Sequence, residues 1–163
     1  MKKLGAVLSI ALLVLAGSAS ATTFSGTASG EWVNVVSVDP SDQYTVTNND
    51  VGGIASFNWG VPSGTDFDNQ FTFDGIGSDG DPGWSTTDES QFLIGYFSYR
   101  NGSTTNSSGI NGVSLDVALD IVTPIGLAET FDFEFAITNT PNETGDPVLD
   151  GDIVTVTTGY SPT

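Results

Sequence analysis

Phe131-Asp132-Phe133-Glu134-Phe135-Ala136-Ile137-Thr138 alternates apolar and polar residues without a break. Successive side chains of an extended chain point to opposite faces, so Phe131, Phe133, Phe135 and Ile137 share one face and Asp132, Glu134 and Thr138 the other. The stretch reads as a half-buried β-strand with its acidic side in water. Upstream, Val113-Ser114-Leu115-Asp116-Val117-Ala118-Leu119-Asp120-Ile121 repeats the pattern, with five aliphatic residues on one side and Asp116 and Asp120 opposite.

Working outward, Phe92-Leu93-Ile94-Gly95-Tyr96-Phe97-Ser98-Tyr99 is apolar on both alternating faces, which predicts a central strand covered on both sides. It runs into Asn101-Gly102, a turn signal because both residues tolerate positive φ. Weaker strand patterns occupy 22–28, 31–38, 43–47, 54–59, 70–73 and 152–157. Residues 74–89 and 101–112, rich in Gly, Ser, Thr, Asp and Asn, read as long loops. Eight or nine strands, 20 Gly and no amphipathic helical stretch predict an all-β fold, an antiparallel β-sandwich of jelly-roll type.

Composition narrows the chemistry. The chain has 163 residues, with 3 Lys+Arg against 20 Asp+Glu, and neither His nor Cys. Ser-His-Asp and Cys-His nucleophile systems, imidazole or thiolate metal sites and disulfides are therefore excluded. Lys2 and Lys3, the apolar stretch 5–16 and the small-residue motif Ala19-Ser20-Ala21 have the form of a bacterial signal peptide over residues 1–21. Cleavage there would leave Arg100 alone against twenty acids, a net charge of −19. Such a chain repels nucleic acid and anionic lipid and attracts divalent cations. Residues 22–163 are near the usual size of one domain. With 10 Phe, 3 Trp and 4 Tyr, in a whole chain of mean hydropathy +0.04, they are too apolar for a disordered acidic chain.

Three groups of residues are candidates for a site. Asp66, Asp68 and Asn69, with Asp74, Asp79 and Asp81, offer hard oxygen ligands in Gly-containing loops and would suit Ca²⁺, although their spacing is not that of an EF-hand. Trp84, in the polar stretch Asp81-Pro82-Gly83-Trp84-Ser85, is expected to be exposed and able to stack on a sugar, whereas Trp32 and Trp59 lie in strand patterns and are expected in the core. Asn139-Thr140-Pro141-Asn142 turns the chain after the Phe131 strand, since Pro141 cannot continue a ladder; Asp146 and Asp152 would then satisfy loop amides or ligate a cation. No enzyme is expected. The one catalytic form left open is a glycosidase with two carboxylates, and Glu31, Glu89, Glu129, Glu134 and Glu143 show no paired arrangement across an aromatic cleft.

The order of motifs carries a resemblance: Phe24-x-Gly26 with Gly30-x-Trp32, Phe57-x-Trp59-Gly60, Phe92-x-Ile94-Gly95 leading to Tyr99-x-Asn101-Gly102, the strand over 113–121, and Asn139-Thr140-Pro141-Asn142 with Asp146-Pro147 and Asp152-Ile153-Val154-Thr155. Over residues 24–157 it resembles the choice-of-anchor K domain, a family of secreted bacterial β-rich domains found with surface-sorting tails such as PEP-CTERM. The resemblance implies an extracellular or surface module without an established catalytic activity, and it transfers no site residues. Similar domains continue into a further strand and a sorting tail, whereas this sequence stops at Tyr160-Ser161-Pro162-Thr163. A freely released protein and a fragment of a longer one are both open. The reading is therefore a secreted, non-catalytic module with a structural, matrix or adhesion role and matrix, glycan or cell-surface partners. A calcium-assisted carbohydrate-binding module is the alternative.

Overall fold

The computed structural model describes residues 22–48, 53–64, 66–78, 80–87, 91–105, 109–124, 126–140, 144, 146 and 150–160. The segment read as a signal peptide lies outside them. Eleven strands are assigned among the described residues: β1 (Thr23–Ser37), β2 (Tyr44–Thr47), β3 (Ile54–Trp59), β4 (Val61–Pro62), β5 (Asn69–Gly75), β6 (Trp84–Thr87), β7 (Gly95–Arg100), β8 (Thr104–Thr105), β9 (Ile110–Thr123), β10 (Leu127–Thr138) and β11 (Ile153–Tyr160). Nine of them make two antiparallel sheets, one of five strands in the order β11-β10-β9-β1-β6 and one of four in the order β2-β3-β5-β7; β4 and β8 form a separate short ribbon. The protein is an all-β antiparallel sandwich.

The alternating stretches occupy their expected places. Phe135 and Ile137 on β10, and Val113, Leu115, Val117 and Leu119 on β9, are buried, while Glu134 and Asp120 are exposed. Between the sheets lies an aromatic core. Trp32 of β1 stacks on Phe71 of β5 at 5.5 Å, Phe71 meets Phe135 of β10 at 5.2 Å, and Phe57 stacks on Trp59 at 5.2 Å. A second, smaller cluster joins Ala28, Trp84 and Leu119.

Three expectations are corrected. The patterns over 22–28 and 31–38 form one strand, β1, because Gly30 lets the chain pass close beneath Phe73 and Leu115 without breaking the ladder. Residues 92–99 do not form a central strand: only Gly95–Arg100 is extended, and β7 ends its sheet. The apolar character on both faces has separate causes. Phe97 packs inward on Phe71 and Phe135, Phe92 stacks on Trp84 before the strand begins, and Tyr96 stands outward, 61% exposed. Finally, the stretch 74–89 contains β6, and 101–112 contains β8 and the start of β9.

Trp84 is the consequence of β6. It is 5% exposed and lies opposite Gly26 of β1 in the ladder. A Cβ on Gly26 would run into the Asp120 carbonyl and stand 2.7 Å from the indole of Trp84, so the absent side chain makes the space that the indole fills. Gly26→Ala is therefore expected to lower stability by about 1–3 kcal/mol, the usual range for overpacking a core. Gly126→Ala, where nothing stands within 4 Å of the added carbon, should be close to neutral. Urea unfolding of the two variants checks this.

Candidate functional site

The register of the five-stranded sheet assembles a feature that no single strand contains. Glu31 on β1 faces Asp116 on β9, and Asp116 faces Asp132 on β10. The three carboxylates form a row across the outer face, at the spacing of neighbouring strands, where directly opposed like charges repel. One step along, Val33, Ser114 and Glu134 make the next row. Burial, and then the charges of Asp132 and Glu31, push the Asp116 carboxyl above its ordinary range. At the end of the row Asn48 ties the face to the core: its side chain accepts from the Trp32 N–H at 2.7 Å and donates to the Trp32 carbonyl at 3.0 Å and to Glu31 Oε1 at 3.3 Å.

Beside the row lies an open cleft of about 340 Å³, lined among others by Asn34, Asn111, Ser114, Asp132 and Glu134. Its shape follows from a bulge. The register of β1 on β9 slips between Val33 and Val36, and within it Asn34 holds a left-handed backbone with φ of 51°. Amides, a hydroxyl and two carboxylates can accept and donate hydrogen bonds to a hydroxylated ligand, and carboxylate oxygens can meet a hard cation. Apart from Val33, the outer positions of β1, β9 and β10 around the row carry hydroxyl, small or acidic residues, and none carries an aromatic ring.

The sequence-derived calcium candidates do not converge. Asp68 is paired with Arg100 at 2.8 Å, and the Arg100 guanidinium lies 4.7 Å from the centre of the Phe67 ring. Asp66 accepts from the adjacent Phe67 N–H at 2.9 Å. Asn69 is wholly buried, accepting from the Gly102 N–H at 2.6 Å and donating to Asp152 Oδ2 at 3.3 Å. Asp74 is six residues beyond Asp68 on an extended chain, about 20 Å away at the usual rise. Asp81 is exposed, and Asp79 lies outside the described residues. Among the described residues no three acidic side chains are grouped so as to hold a metal ion. The exposure expected of Trp84 is not found: it is in the core, where no sugar face can reach it.

After β10 the described residues are tied by a side-chain amide and by carboxylates. Asn139 donates to the Ile110 carbonyl at 3.0 Å, and Asp152 accepts from the Thr140 N–H at 2.8 Å. The anchor that sequence reading missed is Asp150, 8% exposed, which accepts from both the N–H and the hydroxyl of Thr144. The Asp150 N–H donates to the Asp146 carbonyl at 2.8 Å. Burial pushes the Asp152 carboxyl up against the two lowering bonds from Thr140, and burial followed by the Asp152 charge pushes the Tyr99 phenol up. Pro141 and Asn142 lie outside the described residues, as do Glu89 and Glu143.

Because the folded protein holds the Asp116 proton more tightly than the unfolded chain does, this group's effect on stability turns unfavourable as pH rises through the ordinary value of 3.8 towards its folded value. Asp116→Asn should raise the melting temperature by about 2–4 °C at pH 7, the size expected for relieving about 1 kcal/mol of cross-strand repulsion in a chain of this length. The gain should vanish below pH 3.8; thermal melts across pH check both. Compared with protein-family models, with curated proteins and with solved structures, the chain finds no match in any of the three.

Proposed function

We propose that the protein is a secreted, non-catalytic extracellular module with a structural, matrix or adhesion role, whose working surface is the acidic outer face of the five-stranded sheet. The observation that carries the reading is the row Glu31, Asp116 and Asp132, a line of uncompensated like charges maintained across three strands. Repulsion of this kind disfavours folding, and a surface that meets cations or a cationic partner relieves it. The signal-peptide form of residues 1–21 and the resemblance to choice-of-anchor K domains support an exported location. Three carboxylates elsewhere are engaged otherwise: Asp42 accepts from the N–H groups of Asp39, Val38 and Gly109, Asp150 from that of Thr144, and Asp152 from that of Thr140.

A calcium-assisted carbohydrate-binding module is the second reading, and the cleft at the Asn34 bulge favours it, since amides and carboxylates converge there beside the acidic row.

Thermal unfolding in EDTA, in millimolar Ca²⁺ and in millimolar Mg²⁺ tests the two. The structural reading expects the two ions to raise the melting temperature equally, by screening alone, and expects no hydrolysis or retention across a polysaccharide panel. A rise specific to Ca²⁺ that Asp132→Asn abolishes would replace it with the second reading; a ligand at a hundredfold its Kd adds about 2.7 kcal/mol.

A further inference from the structure

The two sheets are unequal, and the inequality is on one side. β10 stands over β7, with the Phe97 and Phe135 rings stacked at 5.2 Å, and β11 is the next strand outward in its sheet. β7 ends the other sheet, and among the described residues no strand pairs with its outer side. The space under that edge is a cleft of about 230 Å³ walled entirely by apolar side chains, among them Phe97, Phe133, Phe135 and Val156. Phe97 faces the core yet is 45% exposed, and Val156 across the cleft is 49% exposed.

The edge is prepared for one more strand. The Ile76 N–H donates to the Ile94 carbonyl at 2.9 Å, which sets the alternation of the β5–β7 ladder. By that alternation the backbone groups of Tyr96, Ser98 and Arg100 bond to β5, and those of Gly95, Phe97 and Tyr99 point to the open side. Natural edges are guarded by charges, bulges or proline, whereas from Gly95 to Tyr99 this edge carries none of these.

The geometry points to β7 as the docking edge for a single extended segment of another polypeptide, with alternate apolar side chains filling the cleft and basic side chains on its outward positions. Width and charge select this occupant. With β11 lying beyond β7, there is room for one strand in the plane of β7, while a second copy adding its own β7 would bring its overhanging β10 and β11 into the same space. The one cation on this strand, Arg100, is paired with Asp68 at 2.8 Å, and no Asp or Glu lies between Glu89 and Asp116, so the edge itself is close to neutral while the net charge of −17 draws a cationic segment in from a distance. Strand addition of this kind takes its affinity from main-chain bonds and its selectivity from pockets for alternate side chains. The inference is independent of the acidic face on the opposite side of the five-stranded sheet.

The test is titration of the purified protein at 150 mM salt with a ten-residue peptide alternating Val and Lys. Controls are a peptide with five Val followed by five Lys and one alternating Val and Glu. The expected result is that only the first slows hydrogen exchange at the Phe97 and Tyr99 amides, at least tenfold. Its affinity should fall at least tenfold in Phe97→Lys and, on the facing wall, in Val156→Lys, and should be retained in Thr45→Lys on β2 at the other end of the sheet. Equal binding of the block peptide, binding unaffected by both cleft variants, or no protection of the two amides would overturn the proposal. So would sedimentation of the protein alone as a dimer that Phe97→Lys dissociates, since a second copy would then be the occupant.

Discussion

Contact between Trp32, Phe71 and Phe135 holds the sandwich together. These rings come from β1, β5 and β10, so they tie the two strands that flank the centre of one sheet to an inner strand of the other. Two sheets stack about 10 Å apart only when large side chains interdigitate across the gap. Here the gap is filled by rings more than by aliphatic groups, and the indole N–H of Trp32 is buried without a hydrogen-bond partner among the described residues. Packing, not hydrogen bonding, therefore sets its position. The constraint propagates: with their inner faces committed to the rings, β1, β9 and β10 must turn their acidic positions outward together.

That shared orientation explains how the acidic residues divide. Where a carboxylate can collect N–H groups it serves as an internal clamp. Asp42 gathers the turn after β1, Asp150 the loop before β11, and Asp152 links that loop to Asn69 and so to β5. Hydrogen bonds, that from the Asp39 N–H foremost, hold the Asp42 carboxyl below its ordinary range. Within the row on the outer face, the Asn48 amide is the one side-chain donor bonded to a carboxylate among the described residues, and burial, followed by the charges of Asp132 and Glu31, raises the Asp116 carboxyl instead. One residue type thus supports loops in one setting and stores repulsion in another, according to whether backbone N–H groups converge on it.

Counting strands in each sheet matters as much as identifying them. Five strands opposite four leave the Phe97 ring covered above by Phe135 and open at its side. The same residue would be fully buried in a central strand. An apolar edge beside an apolar cleft is an aggregation hazard in a protein that has no use for it, and the lack of charge from Gly95 to Tyr99 contrasts with the acidic outer face of the other sheet.

Alternation over 113–121 and 131–138 was enough to determine the all-β class, the inner faces of β9 and β10 and the water-facing side of their acids, because a strand's period of two is a local property. Composition alone removed histidine and cysteine chemistry. Pairing decided the rest. The row Glu31, Asp116 and Asp132 joins positions that are 85 and 16 residues apart in number, and only register brings them level. Trp84 read as a loop aromatic because the space it fills is made by Gly26, nearly sixty residues earlier. Asn69 and Asp152 looked like members of separate sites and proved to be one tie across the fold. Whether an apolar strand is central or at an edge depends on how many strands its sheet holds, which is a property of the assembled sandwich and not of any stretch within it.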